Sequence, residues 1–282
     1  MDDAYAHCER LVETADKDRF LATLFAQAER RRHLHALYAF NIEISRVREA
    51  AHNTLPGEMR IQWWRDVVNG RGYGDVKSNP VATALLDTMA TFRLPAALLL
   101  DLLDARSFDL YVDPMPNMAE FEIYARATSS SLIELAAAVL VGGPDPALVE
   151  PARHAGMAYA IAGLVAALPI HAVRRQLYLP LDLLDRHKVD RDEIFAIQTS
   201  PALRAALAEM RELALAHLAQ FRAMTHTIPA AAGPAFLPVV LAKPVLARMA
   251  RWNYDPFRQA ELSQWRKQLL LWRATWGGIL EV

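Results

Sequence analysis

The chain has 282 residues, with 31 Lys and Arg against 32 Asp and Glu and a formal net charge of −1. A chain of this length buries roughly three quarters of its unfolded surface, so it needs no disulfide or metal staple, and the lone Cys8 excludes an intramolecular disulfide framework or a multi-cysteine zinc site. The balance of charge argues against a nucleic-acid partner, which calls for a strong basic excess, and a chain 53% hydrophobic and 22% charged is globular rather than disordered.

The first residues, MDDAYAHCER, are acidic and lack an apolar core, so they do not read as a secretory signal; nor are they Arg-rich and acid-poor like a transit peptide. Between 30 and 51, Leu34, Leu37, Tyr38, Ile42, Ile44 and Val47 recur at helical spacing. Pro56 opens a second helix carrying Met59, Ile61, Trp63 and Val67. Gly70-Arg71-Gly72-Tyr73-Gly74 has the look of a phosphate loop, but it follows a helix rather than a strand and is read as a connection. Pro80, Pro95 and Pro116 lie near further helix starts, and 98–110 and 121–141 are Ala/Leu-rich and periodic. Gly142-Gly143-Pro144-Asp145-Pro146 is a strong breaker. The run Ala155–Ile170 is nearly uncharged, but it is shorter than the roughly 20 residues of a bilayer span and is expected as a buried helix. Helical stretches at 201–223 and 257–276 follow, and no alternating strand occurs. The expectation is all-α, one helical bundle in a single domain over 1–282. His33 and His35, two apart, point to different sides of a helix and make no metal pair. Nothing activates Ser129, Ser130 or Ser131 as a nucleophile.

Leu37-Tyr38-Ala39-Phe40, Gln62-Trp63-Trp64, Leu177-Tyr178-Leu179-Pro180 and Asn253-Tyr254-Asp255-Pro256-Phe257, with Phe20 and Leu24, resemble motifs of the squalene/phytoene synthase family from about residue 5 to 260. The resemblance implies an isoprenoid-synthase-like bundle with a central cavity, here between the helices containing Glu49 and Gly163. Active members of that family join two prenyl diphosphates using Mg²⁺.

That chemistry requires several carboxylates, because Mg²⁺ takes an octahedral set of oxygen ligands. Aligned on Tyr38, the first acidic motif falls on Ser45, Arg46 and Glu49, leaving one carboxylate beside a guanidinium. Aligned on Tyr178, the second falls on Ala167, Ile170 and His171, and the polar positions before it are Ala160 and Gly163. The second helix becomes apolar all round, which predicts burial. These catalytic positions are therefore degenerate, and no metal or other cofactor is expected. Pro169-x-His171-x-x-Arg174-Arg175, Ala39-Phe40-Asn41-x-Glu43, Met59-Arg60-x-Gln62-x-Trp64 and Tyr124-Ala125-x-x-Thr128-x-Ser130-Ser131-Leu132 resemble a non-catalytic branch of the family that serves assembly of mitochondrial respiratory complex I. That resemblance implies a pseudoenzyme acting through a protein partner or an apolar lipid or isoprenoid. It would work in the cytoplasm or peripherally at the inner face of the membrane. It marks Tyr38, Asn41, Glu49, His171, Arg174, Arg175 and Tyr178 as candidate ligand-binding residues. Core packing is the alternative for Tyr38 and His171, and a solvated helix end for Arg174 and Arg175. The rival function is an active Mg²⁺-dependent prenyl transferase whose metal ligands lie elsewhere.

From Val239 to Val282 there are seven Lys and Arg against three acids, and four of the six Trp. Trp265, Leu269, Trp272 and Trp276 fall on one helical face. The stripe serves either core packing or, through 261–280, an anionic membrane surface.

Overall fold

A computed structural model describes residues 1–50, 54–72, 74–258 and 262–276, and every regular element among them is helical. In chain order these are α1 (Asp2–Ala15), α2 (Lys17–Thr23), α3 (Ala28–Ser45), α4 (Val47–Ala50), α5 (Thr54–Val68), α6 (Pro80–Phe92), α7 (Ala96–Ser107) and α8 (Met118–Ala125). A π-helical segment, Arg126–Ser130, runs on into α9 (Ser131–Val141). Then come α10 (Val149–Ala166), α11 (Leu168–Val173), α12 (Leu181–Arg186), α13 (Arg191–Phe195), α14 (Pro201–Met224), α15 (Gly233–Phe236), α16 (Ala242–Met249) and α17 (Gln264–Trp276). The segment 230–249 is apolar enough to span a bilayer, but most of it is buried within the fold.

Local punctuation sets many of these boundaries. Asn79 accepts from the Ala82 amide at 2.9 Å and Pro80 occupies the first turn of α6. Asn117 and Ser200 cap α8 and α14 in the same way. Gly142, at φ 98°, ends α9 in the left-handed conformation that glycine adopts without strain. The expected helix across Ala155–Ile170 divides in two. Pro169 has no N–H and its ring crowds the carbonyl one turn back, so α10 ends at Ala166 and α11 restarts with Pro169 in its first turn. The glycine loop after α5 is a connection, as expected; its Tyr73 lies outside the described residues.

A continuous apolar core runs from Ala4 to Leu246. α10 is central to it, packed on α14, α9, α16 and the π-helical segment. Gly156 permits the last of these approaches, since a Cβ there would lie 2.3 Å from Ser130 Cα. Gly163, two turns on, faces open space. The same helix thus uses glycine once for close packing and once beside a void.

α17 docks through Leu271, buried with Ala22, Leu237, Val240 and Leu241. The Trp stripe faces away, which removes the core-packing alternative for its described members: Trp265 is 65% exposed, Leu269 43% and Trp272 47%. The Trp276 side chain, with Glu261 and 277–280, lies outside the described residues.

The histidines of α3 are structural. His33 Nδ1 lies 3.0 Å from Tyr5 Oη and 2.9 Å from Thr88 Oγ1, while Nε2 accepts from Arg32 Nε at 3.3 Å. His35 Nε2 lies 2.9 Å from Thr23 Oγ1, whose own proton goes to the Phe20 carbonyl. At the α10–α14 contact, His154 Nδ1 and His217 Nδ1 are 2.9 Å apart.

Two predictions follow from this packing. Gly156→Ala forces the α10 crossing apart and should cost about 1–3 kcal/mol. Gly163→Ala should instead leave stability unchanged or raise it by roughly 0.5–1 kcal/mol, because Ala is the better helix former. Urea midpoints of the two variants distinguish them. Burial, first of all, lowers the pKa of His33, His35 and His217 to about 4. Below the unfolded value near 6.5, the unfolded chain binds protons that the folded chain refuses, so these groups' stability is complete above pH 6.5 and lost progressively toward pH 4. Denaturation midpoints should therefore fall between pH 7 and pH 5.

Candidate functional site

The first group of candidate residues lies where α3 gives way to α4. Arg46 takes φ −102° and ψ 5°, so Ser45 and Glu49 do not share an uninterrupted helical face. Ser45 Oγ donates to the Ile42 carbonyl at 3.0 Å, and Arg46 is exposed. Glu49, the surviving acid, is engaged by Arg174, with Nη1 to Oε1 at 2.8 Å and both side chains about half exposed. Arg48 turns inward instead, and its Nη1 donates to the carbonyls of Asp109 at 3.2 Å and Tyr111 at 3.0 Å.

Tyr38 and Asn41 lie deeper on α3, and both are buried. The Arg19 guanidinium sits 5.6 Å from the Tyr38 ring and 5.4 Å from that of Tyr159, and Asp16 holds it at 2.5 Å. The space among Arg19, Tyr38, Leu132, Ile133 and Tyr159 amounts to about 10 Å³, no more than a single water requires. Tyr38 is thus part of a filled interior. Asn41 Oδ1 is buried and accepts no hydrogen bond among the described residues.

The second group corrects an expectation. The α10–α11 surface that was to be buried all round is open along Gly163, Ala166 and Ile170, with Ala167 half-buried between them. These residues line a cavity of about 550 Å³ with Tyr159, Leu241, Val245 and Met249. Its small side chains leave space that no neighbouring element fills. Around its edge stand Lys17, Arg248, Arg258 and Lys267, together with Asp16 and Asp18. Gly163 lines this cavity as expected, but Glu49 does not.

His171 leaves the face of Ala167 and Ile170. Its ring lies 4.6 Å from that of Tyr178, and burial lowers its pKa to about 4. Arg174 reaches Glu49, while Arg175, in the left-handed region at φ 53°, lays its guanidinium 4.7 Å from the Phe195 ring in a separate surface pocket. The candidates thus form two pairs, Glu49–Arg174 and His171–Tyr178, with Tyr38, Asn41 and Arg175 at other places.

Beneath these pairs lies a network that the sequence reading missed. The Asp109 carboxylate accepts from Tyr178 Oη at 2.7 Å, Tyr124 Oη at 2.9 Å and Arg106 Nη1 at 2.9 Å. Arg106 Nη1 also donates to Tyr124 Oη at 2.8 Å, and Gln176 Nε2 donates to Tyr178 Oη at 3.3 Å. Burial, then the Asp109 charge, push the Tyr178 phenol well above its ordinary value, so it stays a donor. The one local signal in the sequence is the i, i+3 pair Arg106–Asp109.

The donor set does not fit Mg²⁺. Among the described residues no three His, Cys, Asp or Glu side chains converge as a metal site requires. Glu49 is held by a guanidinium, and the aligned positions Gly163, Ala167 and Ile170 carry no carboxylate.

The squalene/phytoene synthase family profile matches residues 12–273. The chain is 31% identical over 255 residues to NADH dehydrogenase (ubiquinone) complex I, assembly factor 6, of Rattus norvegicus, covering 90% of this chain and 76% of that protein. Its Homo sapiens counterpart is 30% identical over 251 residues, covering 89% and 75%. Among solved structures, a squalene synthase from Alicyclobacillus acidocaldarius superposes with a TM-score of 0.78 at 20% identity, over 90% of this chain and 96% of that one. The isoprenoid-synthase-like helical fold expected from the motifs is therefore the fold observed.

Removing the network's anion leaves Arg106 buried without its charge partner. Asp109→Ala should cost about 3–5 kcal/mol. Tyr178→Phe, which removes one hydrogen bond to a charged group, should cost about 1.5–3 kcal/mol. Urea denaturation at neutral pH measures both.

Proposed function

The chain belongs to the squalene/phytoene synthase family, and from that premise we propose that it lacks the family's prenyl-coupling chemistry and serves respiratory complex I assembly by binding a protein partner or an apolar lipid. The observation that carries the reading is the fate of the two acidic motifs. Glu49 is ion-paired to Arg174, and of the second motif's positions Ala167 and Ile170 are part of the apolar cavity wall beside Gly163, while His171 packs on Tyr178. A diphosphate leaving group develops charge that must be neutralised as its bond breaks. In this chain the surviving carboxylate is already neutralised, and the second set is absent.

The relatives named for complex I assembly support the assembly role, at about 30% identity over most of this chain. The cavity beside Gly163 supports the lipid alternative, since an apolar wall with a charged edge suits a ligand with a hydrocarbon body and a polar end. On this reading 1–282 acts as one unit, in the cytoplasm at the inner face of the membrane.

Two measurements test it. Incubation with farnesyl or geranylgeranyl diphosphate and Mg²⁺ should release neither coupled hydrocarbon nor pyrophosphate. In a deletion strain of the host, assembled complex I should fall, and the Glu49→Gln chain should restore it as well as the unaltered chain does. Coupled product, or failure of Glu49→Gln together with loss of that product, establishes the transferase instead.

A further inference from the structure

α17 binds the fold on one side only. Leu271 is buried among Ala22, Leu237, Val240 and Leu241, with Leu270 and Ala274 beside it. Lys267 Nζ reaches Asp18 Oδ2 at 2.8 Å, at the start of α2. The order Lys267–Asp18, then Leu271–Ala22, means that α2 and α17 run in the same direction. The turn that ends α2 therefore lies beside the last turn of α17.

That turn carries Leu24 and Phe25, both exposed. With Trp265, Leu269 and Trp272 they make five exposed large apolar side chains on elements that pack together. Cations flank them. Arg266 and Arg273 are exposed on α17. Arg31 is fixed at the α2 turn, where Nη2 donates to the Leu24 carbonyl at 2.9 Å and Nε to the Ala26 carbonyl at 3.0 Å. Asp18, the nearby acid, is already occupied by Lys267.

We propose that this face, formed by α17 and the end of α2, docks on a lipid bilayer bearing anionic headgroups, with α17 lying in the plane of the interface. The inference deepens the functional reading, resting on its placement of the protein at a membrane, and names the surface involved. Composition favours a bilayer over a protein partner. Trp prefers the headgroup boundary, where its ring is in hydrocarbon and its N–H is wet. An apolar stripe with cations at its margins is the pattern of an interfacial helix. The charge is complementary to anionic lipid, and each cation near such a surface strengthens binding by about fivefold.

The test is co-sedimentation of the full chain with vesicles of phosphatidylcholine alone and of phosphatidylcholine mixed with phosphatidylglycerol. The mixed vesicles should bind the protein and the neutral ones should not, and added salt should weaken binding. Arg266→Gln with Arg273→Gln should lower affinity by about 25-fold. Trp265→Ala with Leu269→Ala should abolish sedimentation with little change in melting temperature, because both side chains are exposed. Equal binding of neutral vesicles, no binding of mixed ones, or unaltered binding by both double variants overturns the proposal. So does a dimer in solution that Trp265→Ala dissociates, which would assign the face to a second copy. The two readings fail separately. A chain that binds vesicles but does not restore complex I keeps the surface and loses the function. An unaltered chain that restores complex I yet binds no mixed vesicles does the reverse.

Discussion

The buried carboxylate of Asp109 is the constraint on which the interior around the two motif positions depends. An anion out of water must be surrounded by donors, and its donors come from three separate stretches of chain. Arg106 lies one turn before it, Tyr124 is on α8, and Tyr178 is 69 residues away. Arg48 adds a fourth stretch by donating to the Asp109 carbonyl. The segment after α3 and the segment after α11 are thereby tied to one point. Arg174, four residues before Tyr178, then meets Glu49, one residue after Arg48. Guanidinium groups and phenols thus connect these segments within the chain itself.

The role of α10 follows from side-chain size. At Gly156 the absence of a Cβ lets the π-helical segment approach to a distance that any other residue would prevent. At Gly163, Ala166 and Ala167 the same smallness produces a cavity, because no neighbouring element approaches the helix there. Apolar composition alone does not separate these outcomes. What separates them is whether another element arrives, and that depends on parts of the chain remote in sequence.

This explains which features were legible in the sequence. Helix positions were, because periodicity and caps are local: Asn79-Pro80, Asn117 and Gly142 stand where the boundaries form. The family was legible from short motifs such as Leu177-Tyr178-Leu179-Pro180. The surroundings of those positions were not. The apolar run ending at Ile170 read as buried, and its open side became visible only once α16 and the 254–258 loop were placed around a void. His171, aligned with Ala167 and Ile170, packs its ring on Tyr178 and does not line the cavity, a contact that no local pattern marks. Arg19 carries no periodic or motif signal, yet it fills the space beside Tyr38. For α17, helical spacing predicted one apolar face correctly but gave no sign of which side the fold would cover. Leu271, outside the stripe, is the residue that docks.

The cavity and the exposed face of α17 share a structural element. Gln264 and Lys267 line the cavity, and Lys267 also holds Asp18, which is part of the same lining. Asp18 accepts from Lys267 through Oδ2, while its Oδ1 is buried and without a donor among the described residues. One turn later, Leu271 anchors the helix to the fold. Any movement of α17 away from α2 must therefore break the Lys267–Asp18 pair and expose Leu271, and in doing so it removes part of the cavity wall. Exposing a buried leucine costs about 1.5–3 kcal/mol, so Leu271 is an apolar anchor beside an ion pair that is itself only about one-fifth exposed.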